Sequence, residues 1–566
     1  MSARAASKRA PSRIKVDGVL KHALESSRQR LLFVGLAVCL AFSGVCVRAV
    51  QLAFADVESF VQHQYSHSTV PAISRANIMD RNRVLLATNL ETLSLYANPR
   101  IILDMDEAVN GLAKTFPEFS KEELRKKLDS SRSFVWIKRN LTPQEQYDVN
   151  NLGIPGLLFE REEKRVYPHG PLLAHTLGFV DIDGNGIAGM EKGLDYTLST
   201  QQENESPVTL ALDVRIQSAT HEALKQSIKK FKAQGGAAVV MDVHTGEVLS
   251  MISLPDFDPN NPEVKNKDAM FNRATVGLYE MGSTFKIFNT AMALDENIVK
   301  LSSKFDVTKP IRIARFTISD YHPLKYAATV PEIFMHSSNI GSAKIAMEAG
   351  AAEQQKFLGK IGLLSPLEME LPEKASPLTP DRWGDISTMT VSFGHGISVS
   401  LMHVAAAVSS MVNGGIYRSP SFIHNANHLE GKRVIRQETS DIIRRLVRLV
   451  VTDGTGTKAD VEGYMVGGKT GTAEKPVDGR YSKNAHITSF AGAFPMNDPK
   501  VVVVVMLDDP QGLKETWNFA TAGWNAAPTA AAIIRRIGPV LGISPVDESS
   551  PEIAKAMHVD YVRKDK

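Results

Sequence analysis

Thiol and metal chemistry are the first things this sequence has too little of. It holds two cysteines, Cys39 and Cys46, both inside one apolar run near the amino terminus. The chain beyond that run therefore has no disulfide, no thiol nucleophile and no thiolate ligand. Its 15 histidines form no His-Glu-x-x-His or similar cluster, so no metal site is expected, and no motif calls for a cofactor. An excess of charge of one sign is also missing. The net charge is +3, which gives no reason to expect a nucleic-acid partner. Neither an internal repeat nor a low-complexity linker is present. With 566 residues, 43% apolar and 22% charged, the chain has material for more than one domain and at least one large core.

The basic residues are unevenly placed. Arg4, Lys8, Arg9, Arg13, Lys15, Lys21, Arg28 and Arg30 are offset only by Asp17 and Glu25 in residues 1–30. An apolar run follows from Leu31 to Val47 and resumes after Arg48 as far as Phe54. A hydrocarbon core of roughly 30 Å needs about 20 helical residues. Residues 31–54 are thus predicted to cross a bilayer once, with Arg48 reaching toward the far interface. Basic flanks stay cytoplasmic, which puts residues 1–30 inside and the rest outside. The competing reading is a signal peptide cleaved after Ala53 or Ala55. The long basic region, the long apolar run and the lack of a clear small-x-small site favour an uncleaved anchor.

Residues 55–220 read as a mixed domain of helices and strands. Thr142-Pro143-Gln144-Glu145 is a helix start, with Thr142 as cap, Pro143 in the first turn and Glu145 reaching back. Ser120-Lys121-Glu122-Glu123 reads the same way, and Phe134-Val135-Trp136-Ile137 reads as a strand. A different pattern occupies residues 221–546. Ala237 to Asp242 and Glu247 to Ser253, joined at His244-Thr245-Gly246, form a predicted hairpin. Helical periodicity follows, then strand-like runs at Tyr464 to Ala473, His486 to Phe494 and Val501 to Leu507. The run Val501 to Val505 is apolar on both faces, as a central strand covered by helices would be. Pro528 to Ile537 reads as a helix packed on that sheet. The expected fold is a mixed α/β domain with a largely antiparallel sheet sandwiched by helices. Residues 547–566 read as a charged, mobile tail.

Three short motifs carry chemistry. In Ser283-Thr284-Phe285-Lys286, at the start of a helix, residues three apart share a face and the lysine can reach the serine oxygen. A serine hydroxyl is a weak nucleophile until a base takes its proton. A lysine serves as that base only if burial or a second cation lowers its pKa. The spacing alone is weak evidence, because Ser12…Lys15 and Ser227…Lys230 repeat it, and solvated helix faces explain both. Ser337-Ser338-Asn339 adds a hydroxyl and an amide. Lys469-Thr470-Gly471-Thr472 opens a strand: Lys469 is the second cation, Thr470 and Thr472 offer hydroxyls to a carboxylate, and Gly471 clears the strand face for a substrate. Singly, each motif reads as a capped turn or a strand-edge glycine. All three in order, on helix, loop and strand, point to acyl transfer.

These motifs resemble the trio shared by penicillin-binding proteins and serine β-lactamases. Further segments resemble class B penicillin-binding proteins: Arg75 to Asn82, Ile154-Pro155-Gly156, Arg165-Val166-Tyr167-Pro168, Gly189-Met190-Glu191, Leu212-Asp213, Pro255 to Asn260 and Asn272-Arg273-Ala274. Departures are Ala76 and Arg83 in place of the family's usual glycine, Met281 in place of proline, and Ser400-Leu401 in place of Thr-Pro. The resemblance implies a transpeptidase domain with a five-stranded antiparallel sheet between helices, behind a pedestal or dimerisation-like domain and one membrane helix. It implies that Ser283 is acylated by a peptidoglycan stem peptide ending in D-Ala-D-Ala, with Lys286 as base. It further implies that Ser337 relays a proton, Lys469 holds Ser337 and Asn339 positions the substrate amide. The backbone N–H groups of Ser283 and Thr472 would form the oxyanion hole. No metal or cofactor is implied, and β-lactams would be covalent inhibitors.

Several rivals share parts of this pattern. A secreted β-lactamase would be much shorter and lack the anchor and pedestal. A D,D-carboxypeptidase would lack the class B segments. A bifunctional enzyme would carry a Glu-Asp-x-x-Phe-x-x-His-x-Gly type segment, which residues 55–230 do not contain. A non-catalytic division scaffold or wall sensor would not need every residue of the trio. Within class B, the long basic tail and Gly468 to Lys475 resemble the septal FtsI family more than the elongation branch. The expected partners are then a separate polytopic septal glycosyltransferase, other division proteins and the cytoplasmic membrane.

Overall fold

The computed structural model describes residues 19–53, 74–200, 207–262, 267–313, 316–425, 430–477 and 480–561. The chain divides into two units, residues 1–72 and 73–566. In the first, helix α1 (Val19–Ala53) is 35 residues long. Within it, Arg30–Arg48 is 19 residues of mean hydropathy 2.2, the one stretch among the described residues long and apolar enough to cross a membrane. The helix begins ahead of the predicted span, so the backbone is already helical at Lys21. Ser12 and Lys15 lie outside the described residues.

The second unit opens with a small sheet of β1 (Ile78–Met79) and β2 (Leu85–Ala97). Helices α2 (Met105–Thr115) and α3 (Lys121–Leu128) follow, then β3 (Val135–Leu141), α4 (Pro143–Leu152), β4 (Leu157–Val166) and β5 (Val208–Thr209). Strands β3 and β4 both flank β2, while β1 pairs antiparallel with β2 and parallel with β5. The predicted caps form. The Thr142 amide donates to Glu145 Oε2 at 2.7 Å while Thr142 Oγ1 accepts from the Glu145 amide. Ser120 Oγ accepts from the Glu123 amide. The apolar faces of these helices, Leu112, Phe116, Leu124 and Val149, close over Leu95, Ile137 and Leu141 of the sheet.

Several of the segments that resemble class B proteins are far apart in sequence and meet along a seam. Arg75 Nε and Arg165 Nε grip opposite oxygens of the fully buried Glu191 carboxylate, at 2.6 and 2.7 Å. Asn82 donates to Asp213 at 2.9 Å, and Asn260 holds both the N–H and the C=O of Tyr167. Removing the charge of a buried carboxylate strands its cations. Glu191→Gln is therefore expected to destabilise the fold by about 3–5 kcal/mol, read as a lower thermal midpoint of the full chain in detergent. An unchanged midpoint would mean that the seam is not held by this pair.

Beyond the seam come α5 (Val214–Phe231), β6 (Gly235–Asp242), β7 (Val248–Leu254), α6 (Lys286–Asp295), α7 (Asn339–Lys360), α8 (Leu401–Val412) and α9 (Gln437–Thr452). Strands β8 (Gly467–Val477), β9 (Arg480–Phe494) and β10 (Val501–Asp508) and helix α10 (Ala526–Val540) complete the layers. The sheet runs β8-β9-β10-β6-β7 and every pairing is antiparallel. All eight residues of β10 are buried. Side chains alternate across a strand, so Val502, Val504 and Met506 enter one core with α8, while Val501, Val503, Val505 and Leu507 enter a second with α5 and α10. An apolar run with no polar face is what a strand with helices on both sides requires.

Two expectations are corrected here. The tail after Asp547 is packed, not mobile, as far as it is described. It forms helix α11 (Pro551–Ala556), Glu548 pairs with Arg448 at 2.5 Å, and Val559 is buried in the core. Ser227 does not lie on a solvated helix face. Its hydroxyl is buried and bonds Thr529 Oγ1 of α10 at 2.7 Å.

Candidate active site

The site forms where α6, the start of α7 and the edge strand β8 converge. A tight 3₁₀ turn, Gly282–Phe285, leads into α6. Gly282 has φ +53, and a β-carbon there would stand 2.8 Å from the Thr472 carbonyl oxygen. Only glycine allows both the conformation and the approach. From Met281 to Leu294 every residue is buried except Ser283, which is partly exposed. The turn thus presents one hydroxyl to solvent while its neighbours anchor in the core.

Lys286 is 1% exposed, and its Nζ has four polar neighbours. The Ser337 carbonyl oxygen lies at 2.6 Å and Asn339 Oδ1 at 2.7 Å. Ser283 Oγ lies at 3.0 Å and Ser337 Oγ at 3.1 Å. The first two atoms can only accept hydrogen bonds. A neutral amine has two hydrogens for them and keeps its lone pair for the hydroxyls. Burial first, and then the nearby Lys469 cation, push the Lys286 pKa well below the usual lysine value, against a smaller opposing pull from Asp320. Burial is thus the leading cause, ahead of the second cation expected from the sequence.

Ser337 adopts φ +62. That region is sparsely populated by non-glycine residues and costs on the order of 1–3 kcal/mol. The turn aims both its carbonyl and its hydroxyl at Lys286. The hydroxyl also accepts from Lys469 Nζ at 3.0 Å, so it bridges the two lysines. Lys469 is fully buried, and burial lowers its pKa to about 7. Asn339 has its carbonyl on Lys286 and one N–H on the Ser319 carbonyl at 3.2 Å. Its second amide hydrogen has no partner among the described residues.

Among the described residues strand β8 pairs with β9 alone, leaving its other edge toward Ser283. Thr470 Oγ1 contacts Thr455 Oγ1 at 2.7 Å, and Thr472 Oγ1 accepts from the Ala522 amide at 3.1 Å. The structure gives a further reason for Gly471. A β-carbon there would sit 2.2 Å from the Met281 carbonyl oxygen and 2.6 Å from Ser489 Oγ. The missing side chain seats the nucleophile turn against the sheet.

The residues singled out by the three motifs converge here. Others went unnoticed in the sequence. Asp320 accepts from Ser338 Oγ, the Asn339 amide and the Ile340 amide. Glu280 accepts from the Tyr481 hydroxyl at 2.7 Å and the Gly396 amide at 2.8 Å and lies 2.8 Å from His395 Nδ1, tying the β8–β9 hairpin to the nucleophile segment. These partners lie 18 to 201 positions apart, so no local pattern announces them.

Comparison with known proteins agrees with this geometry. Residues 236–535 match the penicillin binding protein transpeptidase domain, and residues 70–222 match the penicillin-binding protein dimerisation domain. The probable peptidoglycan D,D-transpeptidase FtsI of Caulobacter vibrioides is 37% identical over 93% of this chain and 92% of its own length. The peptidoglycan D,D-transpeptidase FtsI of Escherichia coli K12 is 29% identical over 83% of this chain and 84% of its own. Among solved structures, penicillin binding protein 3 of Mycobacterium tuberculosis in complex with aztreonam shares the fold. It has a TM-score of 0.66 and 23% identity, over 84% of this chain and 98% of that one. With a dimerisation domain ahead of a transpeptidase domain that holds a lysine-backed serine, the chain belongs to the class B penicillin-binding proteins.

Proposed function

We propose that this protein cross-links peptidoglycan stem peptides in the septal wall of dividing cells, through an acyl-enzyme on Ser283. The observation that carries the chemistry is the Lys286 amine. Its two hydrogens have carbonyl acceptors at 2.6 and 2.7 Å, and its lone pair is left for the Ser283 hydroxyl at 3.0 Å. The Ser283 proton passes to Nζ as Oγ bonds to the carbonyl carbon of the penultimate D-Ala. The backbone N–H groups of Ser283 and Thr472 take the developing oxyanion. Collapse breaks the C–N bond to the terminal D-Ala, whose nitrogen receives a proton through Ser337, held by Lys469. An amine of a neighbouring stem peptide attacks the ester, and Ser283 leaves with its proton restored. Thr470 and Thr472 hydroxyls receive the donor carboxylate, and the remaining Asn339 N–H receives a substrate carbonyl. A β-lactam enters by the same attack. Its opened ring keeps the leaving nitrogen attached, so the ester persists.

On this reading α1 is an uncleaved single-pass anchor in the cytoplasmic membrane, with residues 1–30 inside, residues 55–220 as a docking pedestal and residues 221–546 as the catalytic domain. Glycan strands come from a separate polytopic septal glycosyltransferase, with other division proteins as partners. The test combines chemistry and place. Labelling the full chain with penicillin and digesting it should put the added mass on the peptide containing Ser283; mass on another serine would sink the chemistry. Depletion should leave cells that grow without dividing. Round cells with normal septa would move the protein to the elongation branch and leave the chemistry intact.

A further inference from the structure

Between α6 and the turn before α7 the chain forms two short ribbons. Lys304–Asp306 pairs with Ala327–Thr329, and Ile311–Ile313 pairs with Phe316–Ile318. In the second ribbon, Ile311, Ile313 and Ile318 pack with Ala343, Met389 and Phe393. Side chains alternate across a strand, so the paired Arg312 and Thr317 lie on the opposite face, and both are exposed. The fold uses the apolar face, and no core contact calls for a cation on the other.

This outward face carries charge of mainly one sign. Among the described residues between 304 and 325, the exposed charged side chains are Lys304, Lys309, Arg312 and Lys325, against Asp306 alone. None of the four cations has an ion-pair partner among the described residues. A single carboxylate does not balance them, and its Oδ1 already accepts from the Thr308 N–H at 3.0 Å and the Thr308 hydroxyl at 2.6 Å. Those bonds, and then the charges of Lys344 and Lys309, hold the Asp306 carboxyl below its ordinary range. The face also runs into the active site. Thr317 is two residues ahead of Ser319, about 7 Å along an extended chain, and the Ser319 carbonyl accepts from Asn339 Nδ2 at 3.2 Å. Tyr321, 70% exposed, follows on the far side of that contact. A cationic surface with an exposed aromatic ring, continuous with the cleft, fits a ligand that carries carboxylates along its length and enters that cleft.

We propose that the outward face of residues 304–325 docks un-cross-linked peptidoglycan strands through the carboxylates of successive stem peptides. One stem peptide then reaches Ser283 while its neighbours on the strand are held outside the cleft. The proposal rests on the acyl-transfer reading above. Exposed ion pairs are individually weak, each worth up to about a factor of 5. Several along one polymer act together, because the first contact raises the effective concentration of the next.

The experiment titrates the full chain in detergent with soluble, un-cross-linked peptidoglycan strands, read by thermophoresis, and measures acylation by a fluorescent penicillin in parallel. The double variant Lys309→Glu/Arg312→Glu should bind the strands at least about tenfold more weakly. Its acylation by penicillin should be unchanged, because a small ligand enters the cleft without touching this face. Wild-type strand binding should weaken as salt screens the exposed charges. Strands stripped of their stem peptides should bind weakly, and equally to both proteins. Lys309→Gln/Arg312→Gln should lose affinity in the same direction by a smaller factor, and it serves as the test if the charge reversal does not fold. Unchanged strand binding in these variants, or stripped strands that bind as tightly as intact ones, would overturn the proposal. Full competition by phosphatidylglycerol vesicles would also overturn it and make the face a lipid-binding surface. A matching loss of penicillin acylation would overturn it too, by showing that the two residues act on the site rather than on docking. None of these results decides the acyl-transfer reading, which fails separately if Ser283→Ala still labels.

Discussion

Ser283→Ala is expected to abolish labelling by a fluorescent penicillin, lowering acylation by on the order of 10⁴–10⁶. The size follows from how the site is built. Ser283 carries the one partly exposed side chain between Met281 and Leu294, and it is 3.0 Å from the Lys286 amine. The competing hydroxyl at that amine, Ser337 Oγ, is 3.1 Å away and also receives a hydrogen bond from Lys469 at 3.0 Å. It could in principle take over as a poor nucleophile. It sits on the turn before α7, however, and not on the turn seated against β8. The variant should fold normally, since deleting one partly exposed oxygen opens no cavity in the core. The check is gel fluorescence at equal protein, with the thermal midpoint measured in parallel. Residual labelling that maps to Ser337 would assign the nucleophile role to the wrong serine.

How much of this was legible depended on whether the controlling contact was local. The Thr142–Glu145 cap spans three residues, and its pattern is readable from the side-chain types alone. Strand β10 was legible because burial on two faces leaves no polar position in Val501 to Leu507. That Ser283, Lys286 and Lys469 come together was legible as an ordered set, because each motif combines a polar group with a local turn or strand. What escaped depends on distant partners. Ser227 looks like a surface serine until Thr529 covers it. Val559 lies among charged residues, and nothing nearby signals that it reaches the core. Asp320 reaches the turn before α7 from 18 positions away, beyond any local pattern. The Met281 carbonyl that packs against Gly471 is likewise a distant contact that no local pattern announces.

Lys286→Arg is expected to cost about 10²–10⁴-fold in acylation, the range for loss of a positioned general base, while the domain stays folded. Arginine supplies donors for the Ser337 carbonyl and Asn339 Oδ1, so the buried acceptors keep partners. It cannot give up a proton in this range and so offers no lone pair to Ser283. Lys469→Arg is the informative contrast. That lysine donates to Ser337 Oγ, a role that a guanidinium can partly fill, and the loss should be smaller. The pH profiles separate the roles further. Wild-type acylation should rise as Lys286 loses its proton, and reach its plateau far below the ordinary lysine range, because burial and Lys469 disfavour the ammonium. The Lys286→Arg variant should lose that acidic limb along with the rate. Stability should move with pH in a linked way. Both lysines are depressed in the fold, Lys469 to about 7, so the unfolded chain binds more protons between those values and about 10.4, the free lysine value. The penalty for holding two ammonium groups in the core is present below that window, and stability rises with pH across it. Replacing either lysine by arginine should shrink that rise, whereas Ser283→Ala should leave it in place. Wild-type acylation by Lys286→Arg, or a profile that keeps the same acidic limb, would remove Lys286 from the base role and pass it to Lys469.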